Sequence, residues 1–130
     1  MAGWTSVEEI VAYRLGVKLR DRVLELLDAG TIPRNYHLRD QISDAARSVP
    51  ANISEGFDRY LHGQFGYHAR VAKGSLGELE THLDEVRKRG FITEAAMSEL
   101  IALLVRTRRT TNGLIRHLKT TEAPQPFQRK

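Results

Sequence analysis

The spacing of apolar residues divides the chain into four segments of helical period. The first runs through Val11, Leu15, Val17, Leu19, Val23, Leu24 and Leu27 to Asp28. Thr5 or Ser6 is placed to cap it, and Glu8 and Glu9 fall in its first turn, where the helix dipole favours acids. Gly30 stops it, and Thr31-Ile32-Pro33-Arg34-Asn35 makes the loop. The second segment carries Leu38, Ile42, Ala45, Val49, Ile53, Gly56 and Tyr60, in steps of four and three. The third is the most regular: Phe65, Ala69, Ala72, Leu76, Leu79, Leu83 and Val86, closed by a basic turn and Gly90. Thr93 caps the fourth, with Met97, Ile101, Leu104, Thr111, Ile115 and Leu118 in one stripe. Arg108 falls on that stripe too, as a snorkelling end or an internal ion-pair partner.

Helices near residues 6–28, 36–61, 64–89 and 93–119, joined by short loops, predict an all-α, up-down-up-down antiparallel four-helix bundle. The bundle domain takes residues 1–121, and Pro124 and Pro126 mark residues 122–130 as a disordered basic tail. Three features disturb the pattern. Pro50 lies inside the second helix, where it removes a backbone donor and crowds the Ala46 carbonyl. The apolar phase continues across it, which predicts a kink rather than a break. Gly66, Gly74 and Gly77 each weaken the third helix by roughly 1 kcal/mol relative to alanine, which suggests close approach by another backbone. Apolar residues also occupy more than half of the first helix's circumference from Ala12 onward. So wide an arc predicts a second face buried against another subunit.

Composition narrows the classes of function. The chain of 130 residues has no cysteine, which removes disulfides, thiolate metal sites and thiol nucleophiles. The longest aliphatic run, Ile101 to Val105, is far short of a membrane span, and the start lacks a signal-peptide pattern. A soluble cytoplasmic protein without membrane contact is expected. Charge is uneven. Residues 1–105 hold 13 basic and 15 acidic side chains, whereas residues 106–130 hold 7 basic and 1 acidic. A basic end of this kind binds phosphate backbone or an acidic partner, or serves only as a solvated helix terminus that complements the dipole. Phe127 is the only aromatic near it in sequence, so base stacking of the single-strand type is not supported.

The polar residues of the second and third helices offer a second candidate. Asn52 lies on or beside the buried stripe, Glu55 is on the next turn, and Glu78 and Glu80 flank Leu79. They can bind a cation or a basic ligand. They can instead pair with arginines such as Arg47 or Arg70 and fix helix register, which is the favoured reading. A di-iron bundle needs Glu-x-x-His motifs, and no Glu here has a His three residues on; Glu78 and His82 are four apart. Paired Glu-x-x-Glu motifs, an Arg followed after four to six residues by His, a phosphate-binding glycine loop and zinc-site spacings are also missing. No catalytic residue, metal ligand or cofactor is expected.

Two stretches carry a resemblance. Ser48-Val49-Pro50-Ala51-Asn52-Ile53-Ser54-Glu55-Gly56, followed by Ala72-Lys73-Gly74-Ser75 and Glu78-Leu79-Glu80, resemble the family of small four-helix-bundle proteins related to the 23S rRNA intervening-sequence protein. The resemblance covers about Val7 to Leu118. It implies a left-handed antiparallel bundle assembled as a ring of five subunits, and no established biochemical activity. The family is also similar to the accessory protein of diversity-generating retroelements, a basic pentameric bundle that binds a reverse transcriptase and nucleic acid. The chain departs from the pattern at His68-Ala69, where relatives often carry bulky apolar residues. The expectation is a non-catalytic homopentamer that binds RNA or other nucleic acid through Arg106, Arg109, Arg116 and Lys119, with Asn52, Glu55, Glu78 and Glu80 structural. The competing class is a protein-binding scaffold, such as a reverse-transcriptase accessory, that never touches nucleic acid.

Overall fold

A computed structural model describes residues 3–33 and 36–121. Four helices form an all-helical bundle: α1 (Val11–Asp28), α2 (His37–Asp58), α3 (Phe65–Lys88) and α4 (Glu94–Thr121). No strand occurs among the described residues. Each helix packs on its neighbours in sequence, and α4 closes back on α1. The tail at 122–130 and loop residues Arg34 and Asn35 lie outside the described residues. No described helix is long and apolar enough to cross a membrane.

The stripes of α2 and α3 face inward from Leu38 to Gly56 and from Phe65 to Val86; α2 ends at Asp58, short of the expected residue 61, and the buried Tyr60 opens a separate 3-10 turn, Tyr60–His62. In α4, Leu100, Leu103, Thr107 and Leu114 join the buried set, because its core face is wider than one stripe. Thr107 and Thr111 are fully buried, and each hydroxyl donates to the carbonyl four residues earlier, so neither polar group is left unpaired. Thr93 caps α4 through a 3.1 Å bond from the Ala96 amide to its hydroxyl.

The first helix differs from the expected single run. Val7–Glu9 is a short 3-10 turn, Ile10 is extended, and the α-helix begins at Val11. Thr5 explains the change. It gives both its amide and its hydroxyl to the Glu9 carboxylate instead of capping the helix, so the lead-in folds on itself. The buried residues of α1 are Ala12, Gly16, Leu19, Val23 and Leu27, while Val11 is exposed and Leu15, Val17 and Leu24 are half-buried.

Of the three α3 glycines singled out from sequence, Gly66 is buried, but the other two are not sites of close approach. Gly74 and Gly77 point outward, and a Cβ on either would meet nothing within 4 Å. The tight positions are Gly16 and Gly56. A Cβ on Gly16 would lie 3.2 Å from Val49 Cγ1 and 3.5 Å from the Pro50 nitrogen, where α1 crosses α2. A Cβ on Gly56 would lie 2.6 Å from Phe65 Cδ1 and 2.9 Å from His68 Cβ. Pro50 sits within α2, which continues on both sides of it.

Substituting Gly56→Ala is expected to destabilise the fold by about 1–3 kcal/mol through overpacking. Gly74→Ala and Gly77→Ala are each expected to stabilise it by about 0.5–1 kcal/mol, since helix propensity alone changes. Urea unfolding of the three variants checks both signs. A loss of stability at position 74 or 77 would mean that the outward face of α3 is covered in solution.

Candidate functional site

The four polar residues of α2 and α3 do not form one cluster. Asn52 is half-buried and donates its amide nitrogen to the Ser48 carbonyl and hydroxyl, both at 2.9 Å. Its oxygen therefore faces His68 and accepts from Nδ1 at 3.1 Å. The Ser48 hydroxyl is bonded in turn to Ser75 at 2.7 Å. Four side chains thus link α2 to α3 through one chain of hydrogen bonds. Ala69, beside His68, is fully buried, so this turn packs a small residue inside and bonds a polar one at the edge.

Two of the three glutamates find separate arginine partners, and the third does not. Glu55 pairs with Arg59 one turn on, and this hydrogen bond, with the charge behind it, holds the carboxyl below its ordinary range. Glu80 bonds Arg108 across the α3–α4 interface, where the two side chains are 43% and 30% exposed. Glu78 points toward His82, but at 4.0 Å the two are beyond hydrogen-bond range, and the buried His82 Nε2 has no partner. Arg47 bonds Ser43 rather than a glutamate. Among the described residues no group of three or more histidines and acids is gathered as a metal site.

The basic end of α4 behaves differently. Arg106, Arg109, Arg116 and Lys119 are all exposed, and no side-chain hydrogen bond or ion pair holds any of them among the described residues. By contrast, Arg20, Arg22, Arg59, Arg87, Lys88, Arg89 and Arg108 all pair with acids. The steps of three, four and three put Arg106, Arg109, Gly113 and Arg116 on one face, with Lys119 adjoining. At 1.5 Å per residue the four cations span about 20 Å of helix.

Sequence reading missed one neighbour of this face. The lead-in to α1 brings Trp4 against His117 of α4, edge to face with ring centroids 5.5 Å apart. Trp4, Glu9, Ile10, Val11, Ala12, Thr110, Gly113, Leu114 and His117 line an open-sided pocket of about 290 Å³ beside the cations. Nothing in local sequence signals this, because more than 100 residues separate Trp4 from His117. The only advance sign was an aromatic residue standing before the first helix rather than on its apolar stripe.

Replacing Asn52 with alanine leaves the His68 Nδ1–H without its acceptor and the Ser48 hydroxyl with Ser75 alone, at an expected cost of about 1–2 kcal/mol in chemical denaturation. Glu55 supplies a pH test. Its folded pKa lies below its unfolded value, so its contribution is present above the unfolded pKa and is lost as pH falls through the folded one. The stability gap between wild type and Glu55→Gln should therefore close on acidification through the carboxylate range. A gap that stays constant with pH would contradict the assignment.

No curated protein matches the chain. The family model described as 23S rRNA-intervening sequence protein matches residues 8–113. That span takes in α1, α2, α3 and most of α4, including the Ser48–Asn52 turn and the Glu80 position. It leaves out Trp4, Arg116, His117 and Lys119. On a match of this extent over an all-helical bundle, the chain belongs to the 23S rRNA-intervening sequence protein family.

Proposed function

We propose that the protein is a non-catalytic, cytoplasmic, homo-oligomeric bundle protein that binds the phosphate backbone of RNA or another nucleic acid along α4. One observation carries the reading: Arg106, Arg109, Arg116 and Lys119 are exposed and unpartnered, while most other described cations are engaged locally. Free cations in a row attract phosphates without reading sequence. The family's name, which refers to 23S rRNA, favours RNA as the ligand.

The same reading takes the bundle as up-down-up-down and antiparallel, with α2 kinked at Pro50. Partners along α2 and α3 support this by running in opposite directions: Tyr36 with Glu85, Ser48 with Ser75, Asn52 with His68. The kink is proposed from the donor that Pro50 removes from the ladder and the carbonyl that its ring crowds, inside a helix that continues on both sides. Self-association rests on the half-buried apolar residues of α1, Leu15, Val17 and Leu24. The number five comes from the family resemblance.

Binding to a single-stranded RNA should weaken steeply with salt, each phosphate contact adding about −0.7 to the log–log slope. Changing Arg106, Arg109, Arg116 and Lys119 to glutamine should reduce the slope's magnitude by up to about 3, with light scattering unchanged. Absence of RNA and DNA binding at low salt would overturn the proposal and leave a protein-binding scaffold, for which a reverse transcriptase is the partner to test. A stable monomer at micromolar concentration would remove the oligomer.

A further inference from the structure

The pocket between the α1 lead-in and α4 has the makings of a ring-binding site. Its wall contains an aromatic pair, Trp4 and His117, and its floor is apolar, made by Ile10, Ala12 and Leu114. Val11, 47% exposed, stands at its edge, an apolar side chain that the fold itself does not cover. Trp4 is braced from behind by the buried Phe65 ring at 6.1 Å, so the indole is held rather than free to swing away.

Gly113 keeps the site open. It lies on the pocket wall, and a Cβ there would meet only the Arg116 guanidinium, at 3.8 Å. The Arg116 guanidinium thus lies on the Gly113 side of α4 while the residue stays exposed. Arg109 lies one turn earlier on the same face and is exposed. The pocket therefore combines an apolar, aromatic interior with two free cations at its rim. Among the lining residues Glu9 is the sole carboxylate, already held by Thr5, and it offers an acceptor inside while the rim is positive.

We propose that this pocket takes an unstacked nucleobase of a single-stranded nucleic acid whose flanking phosphates lie on Arg109 and Arg116. The inference rests on the nucleic-acid reading above and adds the form of the ligand. An aromatic-lined cleft beside a row of cations fits a strand with splayed bases, since every base has a face that stacks on an aromatic ring. In a duplex the bases are stacked on one another and only the cations could be used. Glu9 accepts from an exocyclic amine or ring N–H of the base. Such a contact discriminates among bases weakly next to stacking.

Trp4 is the only tryptophan of the chain, so its fluorescence reports the pocket directly. Three probes suffice: a single-stranded oligouridine, an abasic oligomer with the same number of phosphates, and an RNA duplex of equal length. Fluorescence anisotropy of the labelled probe gives affinity, and Trp4 emission gives occupancy. The expected result is quenching by the single strand alone, with affinity about tenfold above the abasic oligomer. Gly113→Leu fills the pocket and keeps every cation, and it should lower single-strand affinity to the abasic level. His117→Ala, an exposed change one turn further along the same wall, should act in the same direction and serves if the leucine variant fails to fold. Equal binding of single strand and abasic oligomer with unchanged Trp4 emission would overturn the pocket while leaving phosphate binding intact. No binding of any probe would overturn both readings together.

Discussion

The seating of Phe65 on Gly56 is the contact on which one end of the bundle depends. Phe65 is fully buried at the first position of α3, and a single added carbon at Gly56 would collide with it. Around it stand Trp4 at 6.1 Å, Tyr60 at 6.2 Å and Phe57 at 6.3 Å, all edge to face. Edge-to-face packing suits rings whose faces are negative and edges positive, and it fixes each ring's direction as well as its place. The chain before α1, the end of α2, and the end of α4 through the Tyr60 hydroxyl bonded to the Thr121 carbonyl all converge here. The position of Trp4 beside His117 is therefore a consequence of the core rather than a property of a loose lead-in.

Charge follows a different logic along the length of the molecule. Over most of the surface, acids and bases alternate at helical spacing and neutralise each other within one turn, as Asp84 does with Arg87 and Lys88. Exposed pairs of this kind add little to stability. Among the described residues Lys18, Arg70 and Lys73 are exposed without an ion pair as well, but they lie apart on α1 and α3, whereas the unpaired cations of α4 follow one another along a single helix. The Glu80–Arg108 bond marks the boundary. It takes the one arginine that falls on the core stripe of α4 and ties it inward to α3, which separates it from the outward-facing Arg106 and Arg109.

The four helices were legible because burial and period agree. A stripe such as Leu38 to Gly56 has one physical solution, and the structure adopts it through Pro50. Gly74 and Gly77 misled because a glycine in a helix reports either close approach or mere tolerance, and only the phase relative to the packed neighbours tells which. The break at Ile10 was hidden because Thr5 and Glu9 carry the right residue types for a helix start but bond each other. The partners of Glu55 and Glu80 were not readable either. Glu55 uses the local Arg59, while Glu80 reaches an arginine 28 residues away whose register depends on the α3–α4 crossing. The cations on α4 were legible from composition and spacing. The aromatic wall beside them was not, since it requires knowing that the two ends of the chain meet.

The claim at the centre of this account is that nucleic acid lies along the outward face of α4 next to Trp4. Photocrosslinking of single-stranded RNA containing 4-thiouridine, followed by peptide mass spectrometry, reads that position directly. The account predicts adducts on the peptides that contain Trp4 and His117, and their loss at high salt. Adducts confined to the outer face of α3, around Gly74 and Gly77, would contradict it.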